Sequence, residues 1–366
     1  MNHLLYKIAI TKIPKVGAVT AKNLISYCGG VQAVFEAKKR ELLRVPGIGE
    51  QIATSIVKQD VLNVAEKEIN FMEQHKIRSF FYLDDDYPSR LKYYNDAPVL
   101  LYYRGTTDLN VQRMVAIVGT RKPSVHGVAA CEELVENLKA YGVTIISGLA
   151  YGIDVTAHRK CLEQQMDTIG VMGSGLGFIY PAQHRQVAER MVEQGGLLTE
   201  YTHDLGPDRE HFPARNRIIV GMCDALIVVE TARKGGSMIS ATKAVQYNKE
   251  VFAVPGRLRD NLSSGCNYLI RTNQAQLIQQ ASDIAEVLNW DVQSPSRSKQ
   301  QSLFVELTLE EQAIVDALRG KDHLGLDNLS YATKMSTSQL AGLLLDLEFR
   351  GMIRSLPGKR YVLMNA

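Results

Sequence analysis

The chain reads as a doubly wound α/β protein: a mostly parallel, Rossmann-like sheet, preceded by a helical module and followed by a winged-helix-like domain. Three observations predict this. Short apolar runs alternate with helix-length segments from residue 114 onward, a polar stretch broken by Pro295 follows, and two apolar-Pro-x-apolar-Gly marks punctuate the first 50 residues. Strands that are apolar throughout, rather than at every second residue, are covered on both faces, as in a parallel sheet between helical layers.

Residues 1–75 are expected to be helical. Ile13-Pro14-Lys15-Val16-Gly17 and Val45-Pro46-Gly47-Ile48-Gly49 each precede a helical pattern. Both resemble the turn of a helix-hairpin-helix module, where free backbone amides hold a DNA phosphate. Gly47 and Gly49 are therefore auxiliary DNA-contact candidates. Lys15 stands where a glycine is usual, and a plain helical spacer competes with a DNA contact there.

The central domain is expected over 76–290, with strands at 114–118, 143–146, 168–172, 197–199, 225–229 and 251–254. Polar, apolar-poor residues predict a linker over 291–303. A domain at 304–366 follows, with capping-box pairs Thr308/Glu311 and Ser336/Gln339. The second box opens a helix striped by Leu340, Leu343, Leu344 and Leu347. Gly351 ends that helix, and a hairpin about Leu356-Pro357-Gly358 completes a winged-helix pattern. Its candidate recognition helix is poor in Lys and Arg, which favours a protein contact over a duplex.

Bulk composition narrows the classes. With 366 residues, 45% of them hydrophobic, and a net charge of only +3, any nucleic-acid surface must come from local clusters of Lys and Arg. The five cysteines form no CxxC pair, so neither a disulfide framework nor a metal ribbon is expected, and a reducing cytoplasm is the simplest compartment. No run of 18 apolar residues occurs, so no membrane partner is expected.

Candidate binding residues cluster where strands end and helices begin, at the rim that favours anions. The first strand ends in Gly119, Thr120, Arg121 and Lys122. The next gives Gly148, with Asp154 and His158 one turn apart on a helix. That pair reads either as a proton-transfer couple or, more commonly, as a helix cap with a neighbour, and its role stays open. Gly173, Ser174 and Gly175 end the third strand, with Arg185 after the Tyr180-Pro181 step. Arg209, Phe212, Arg215, Asn216 and Arg217 surround the start of a further helix. Lys234, Gly235, Gly236 and Ser237 supply another glycine-rich turn. The loops match neither GxGxxG nor GxxxxGK[ST], so no dinucleotide or other cofactor is expected. Several loops aimed at anions suit a nucleic-acid strand better than one phosphate.

The ordered strings GTRKPS, SGLAYGID, GSGLGFIYP, FPARNRIIVG, KGGSMISA, VFAVPG and SGCNYLI resemble the DNA-processing protein A (DprA/Smf) family over residues 80 to 285. The resemblance implies a cytoplasmic, non-enzymatic protein. It would bind incoming single-stranded DNA in natural transformation, load the RecA recombinase and form a homodimer through the Rossmann-like domain. It also implies a DNA pocket around Gly119, Thr120 and Arg121, with Arg209 where relatives carry a DNA-contacting lysine. After the Tyr-Pro step Ala182 stands at a second basic position, which His184 or Arg185 could fill. Phosphates would lie on amides and guanidinium groups while bases stack on Phe212 or Tyr180. Phe212 reads equally as a core anchor. Two rivals remain. A nucleoside-monophosphate hydrolase of the lysine-decarboxylase-like family needs an acid where Thr242 stands, and a transcriptional regulator would read duplex DNA through its winged helix.

Overall fold

The computed structural model describes residues 2–292, 307–319, 321, 323–350, 352–356 and 360–363. The chain divides into two compact units, Met1–Gln293 and Ser294–Ala366. The linker expected over 291–303 lies, from residue 293 on, outside the described residues, as do Gly351 and the Pro357-Gly358 turn.

Nine strands build the first unit: β1 Arg78–Phe81, β2 Leu100–Gly105, β3 Met114–Val118, β4 Thr144–Ser147, β5 Thr168–Val171, β6 Gly195–Thr199, β7 Ala225–Val228, β8 Glu250–Ala253 and β9 Gln276–Leu277. They form one sheet in the order β1-β2-β6-β5-β4-β3-β7-β8-β9. All pairings from β6 through β9 are parallel, whereas β2 runs antiparallel to both β1 and β6. The six expected strands are β3 to β8. Strands β1, β2 and β9 lie beyond that expectation.

The continuous apolar strands are sandwiched as their composition requires. Met114, Ala116 and Val118 of β3 face a core with Ile218, Ile219 and Met222 of helix His211–Met222. Val115 and Ile117 face the opposite core, filled by Leu134 and Val135 of helix Val125–Leu138 and Ile153 and Ala157 of helix Ile153–Glu163. Side chains alternate across a strand, so each face receives its own helical layer. The five cysteines are unpaired, four of them buried.

Six helices, from Asn2–Lys12 to Val61–His75, make up the N-terminal module, which belongs to the same compact unit as the sheet. Its two marks fold alike. Val16 donates its amide to Ile13 O at 3.1 Å, and Ile48 to Val45 O at 3.1 Å. The turn needs a left-handed residue: Gly47 has φ 83° and Lys15 adopts φ 65° in the equivalent place. The conformation survives without glycine, at the strain a side chain meets there. Phe81, Leu100 and Tyr102 on one face of β1 and β2 pack among Ile8, Leu24 and Met72 of the module, while Phe80, Leu101 and Tyr103 enter the main core. The buried Glu68 carboxylate adds a polar tie, accepting from the His203 amide at 3.0 Å and from Nδ1 at 2.5 Å.

Helices Leu309–Leu318, Leu326–Thr333 and Thr337–Phe349 form the second unit with β10 Leu324–Gly325, β11 Ile353–Leu356 and β12 Arg360–Leu363, ordered β10-β12-β11 and antiparallel. Both capping boxes are present. The Glu311 amide donates to Thr308 Oγ1 at 3.2 Å and the Gln339 amide to Ser336 Oγ at 3.3 Å. Leu340, Leu344 and Leu347 join Ile314 and Leu318 in its core, with Leu343 partly buried. Among the described residues no helix is long and apolar enough to cross a membrane.

Candidate nucleic-acid interface

Strands β4, β5 and β6 extend the sheet to one side of β3, and β7 and β8 to the other. Ligands bind at such a reversal, beyond the carboxyl ends of the strands, where connecting helices begin. A cleft of about 780 Å³ lies there. It is lined by Gly119, Thr120 and Arg121 after β3, Ala150 and Asp154 after β4, and Thr231, Gly235, Gly236 and Ser237 after β7. Arg209, Phe212, Arg215 and Asn216 line it from the start of helix His211–Met222.

The loop after β3 is braced from below. The Thr120 amide donates to Glu230 O at 2.7 Å. The Glu230 carboxylate accepts from the Ser124 amide at 2.8 Å and its hydroxyl at 2.6 Å, and Ser124 Oγ in turn caps helix Val125–Leu138 by accepting from the Gly127 amide at 3.0 Å. Thr120 Oγ1 accepts from the Lys122 amide at 3.2 Å, so the loop closes on itself and leaves Arg121 exposed. Glu230, a buried acid ending an apolar strand, is a positioning residue the sequence reading passed over. A carboxylate closing the 225–229 apolar run was its signal.

Two rings mark the mouth. Phe212 lies 5.5 Å from Tyr180 between centroids, and the Arg121 guanidinium stands 5.8 Å above the Phe212 ring. Beneath, a Cβ on Gly173 would sit 3.0 Å from Phe212 Cδ1, so Phe212 rests on glycine backbone while keeping an edge in the cleft.

Arg215 is only 3% exposed, and its Nε and Nη1 have no acceptor. It fits because Gly148 lacks a side chain; a Cβ there would overlap the guanidinium. Burial lowers its pKa to about 10, opposed by the nearby Asp154 carboxylate. Burial in turn pushes the Asp154 carboxyl upward, against the pull of Arg215.

His158 is sealed beneath. Thr168 Oγ1 donates to Ile145 O at 3.1 Å and therefore accepts from His158 Nδ1–H at 2.7 Å, leaving Nε2 bare. Burial, then Arg215 and His184, pull its pKa to about 3, so the ring is neutral at physiological pH. Asp154 lines the cleft, but His158 is buried behind it and is no proton shuttle to that cleft. The folded pKa lies below the unfolded value near 6.5, so this contribution to stability is present above pH 6.5 and lost as pH falls toward 3. His158→Gln is expected to flatten the pH slope of stability in that window by as much as one proton, read by urea unfolding at several pH values.

Not every expected residue reaches the cleft. Arg217 requires correction. Two residues along a helix are about 200° apart, so with Arg215 facing in, Arg217 faces away. It grips Glu200 with both Nη atoms at 2.6 Å and donates from Nε to Asp96 O at 2.9 Å. With these side chains 17% and 18% exposed, Arg217→Ala leaves a half-buried carboxylate unpaired. We expect a loss of about 3 kcal/mol in urea unfolding, with single-strand affinity of the folded protein little changed. Gly148, Gly173, Ser174 and Gly175, expected at the DNA site, are buried and do not belong to the lining. Ser174 Oγ, for instance, donates to Phe178 O at 3.0 Å. Lys122, Arg185 and Lys234 are exposed outside the lining, Lys234 in the same loop as Ala232 and Gly235, which belong to it. Gly47 and Gly49 belong to the N-terminal module, not to this cleft.

Comparison with known proteins agrees with this architecture. Residues 78–289 match the family model for DNA recombination-mediator protein A, residues 298–359 a DprA winged helix domain and residues 9–59 a helix-hairpin-helix motif. Protein Smf of Synechocystis sp. is 31% identical over 97% of this chain and 98% of its own length. DNA processing protein DprA of Streptococcus pneumoniae is 35% identical over 69% of this chain and 95% of its length. The crystal structure of the Streptococcus pneumoniae protein superposes with a TM-score of 0.68 at 32% identity, covering 80% of this chain and 98% of that one. DNA processing protein A of Helicobacter pylori, described for its single-stranded DNA binding mode, gives 0.54 at 32% identity over 59% of this chain and 98% of that one. With the whole sheet and both flanking modules covered by these matches, the chain belongs to the DNA recombination-mediator protein A family.

Proposed function

We propose that this protein binds single-stranded DNA along the cleft and serves DNA processing in natural transformation. The observation that carries the reading is Arg215, a guanidinium buried at the cleft with unmet hydrogen-bond donors. An unpaired buried donor costs roughly 1–3 kcal/mol, more when charged, and an entering phosphate oxygen recovers it. Arg121 and Arg209 extend the positive lining, and Phe212 with Tyr180 offers rings on which unpaired bases stack for about 1–3 kcal/mol each. Duplex bases are already stacked on one another and gain nothing from such rings. The relationship to the Helicobacter pylori protein supports the same ligand.

The test is a gel-shift series with single-stranded and duplex oligonucleotides of increasing length. Single strands are expected to bind far more tightly, with affinity falling steeply with salt. A preference for duplex would replace this reading with that of a duplex-reading regulator.

Loading of RecA, homodimerisation through the Rossmann-like domain, cytoplasmic location and lack of catalytic turnover complete the proposal, as do the domain limits 1–75, 76–290 and 304–366. Light scattering checks the dimer. Filament assembly on coated single strands checks RecA loading, and incubation with nucleoside 5′-monophosphates checks for hydrolysis.

A further inference from the structure

We infer that the cleft is a strand-end site, which takes a terminal phosphate monoester of a DNA strand in preference to an internal phosphodiester. This rests on the single-strand reading above and narrows it. The first ground is Arg215. Its Nε and Nη1 are sealed from solvent and lack acceptors, in a residue that lines the cleft. A group reaching so deep a guanidinium enters more readily at a chain end than in mid-chain, where two ester-linked sugars must also be threaded back out.

The second ground is charge. Among the titratable side chains of the lining, Arg121, Arg209 and Arg215 supply three positive charges and Asp154 one negative charge, a net of +2 when the carboxyl is ionised. An internal phosphodiester brings one negative charge to a given point. A phosphate monoester brings about 1.5 to 2 at pH 7 and offers three free oxygens rather than two. Those three oxygens suit a cleft lined from three directions: the loop after β3, the start of helix His211–Met222, and the Gly235-Gly236-Ser237 turn that opens helix Gly236–Gln246. The Gly236 and Ser237 amides at the start of that last helix have no acceptor within the helix, and the space where a Gly236 Cβ would lie is open.

The experiment uses the full chain and three oligonucleotides of one sequence, ending in a 5′-phosphate, in a 3′-phosphate, or in hydroxyls at both ends, each with an internal fluorophore. Anisotropy is expected to give affinity on the order of tenfold higher for one of the phosphorylated strands, and the preferred strand identifies the end recognised. A deoxynucleoside monophosphate carrying its phosphate at that same position should displace the strand at lower concentration than inorganic phosphate does. Arg215→Gln should bring the affinity ratio toward one. Equal affinity for all three strands overturns the inference while leaving the single-strand reading intact, and because that comparison uses the unaltered protein it does not depend on the variant folding. Competition by inorganic phosphate alone, without end preference, also overturns it. Failure to bind any of the three strands overturns the underlying reading.

Discussion

Replacing Arg121 with glutamate is expected to weaken single-strand binding by tenfold or more and to make its salt dependence shallower by about 0.7 log units, the share of one released counterion. The reasons are local. Arg121 is exposed at the tip of a loop that closes on itself through Thr120 and Lys122, so its charge is held over the cleft. It also stands 5.8 Å above Phe212, so a carboxylate there repels a phosphate and takes the cation from the ring on which a base would stack. Stability should change by no more than about 0.5 kcal/mol, because the loop is braced through the Thr120 amide and Ser124 rather than through this side chain. Isotherms at two salt concentrations decide it. Parallel salt plots for Arg121→Glu and the parent would remove Arg121 from the interface.

Gly148→Ala should disturb the cleft directly through one added methyl. The added Cβ overlaps the buried Arg215 guanidinium, which must then shift from the place it occupies. Overpacking of this kind costs about 1–3 kcal/mol. The larger loss is in binding, because the displaced guanidinium no longer presents its donors where Gly148 lets it lie. Gly236→Ala is the matched control: the space is open, and the residue begins a helix, so stability should hold or rise slightly. Urea unfolding with anisotropy on both variants separates the two effects, and full affinity in Gly148→Ala would contradict this account of Arg215.

The sheet was readable wherever burial on both faces makes the run of a strand largely apolar, as in β3 to β8, even though β8 starts at the exposed Glu250. Strand β2 follows the same rule only over residues 100–103, before the exposed Arg104, and it pairs antiparallel with β1 across an irregular connection, so the strand-helix alternation that exposes the others is absent. Strand β9, with only two residues, offers no pattern at all. In the cleft, residue type was legible and orientation was not. Arg215 and Arg217 look equivalent in the string, and the choice between them is made by Glu200, 17 positions upstream, which captures Arg217. The strand-end glycines Gly148 and Gly173 are DNA-contact candidates in the sequence. Gly148 and Gly173 instead make room for Arg215 and Phe212, a spatial relation no local pattern encodes. Glu230 went unseen because its partners, the Thr120 and Ser124 positions, lie more than a hundred residues away.

The two-sided packing of β1 and β2 bears on how deletions of this protein should be designed. A truncation that starts after residue 75 takes away Ile8, Leu24 and Met72 and leaves Phe81, Leu100 and Tyr102 facing water along the edge of an otherwise intact sheet. Such a fragment carries a bare greasy flank next to an edge strand, a recipe for self-association. Loss of activity in it would report clumping as readily as a missing DNA contact, whereas point changes at exposed positions with ordinary backbone, such as Gly49, test whether the leading helices touch nucleic acid.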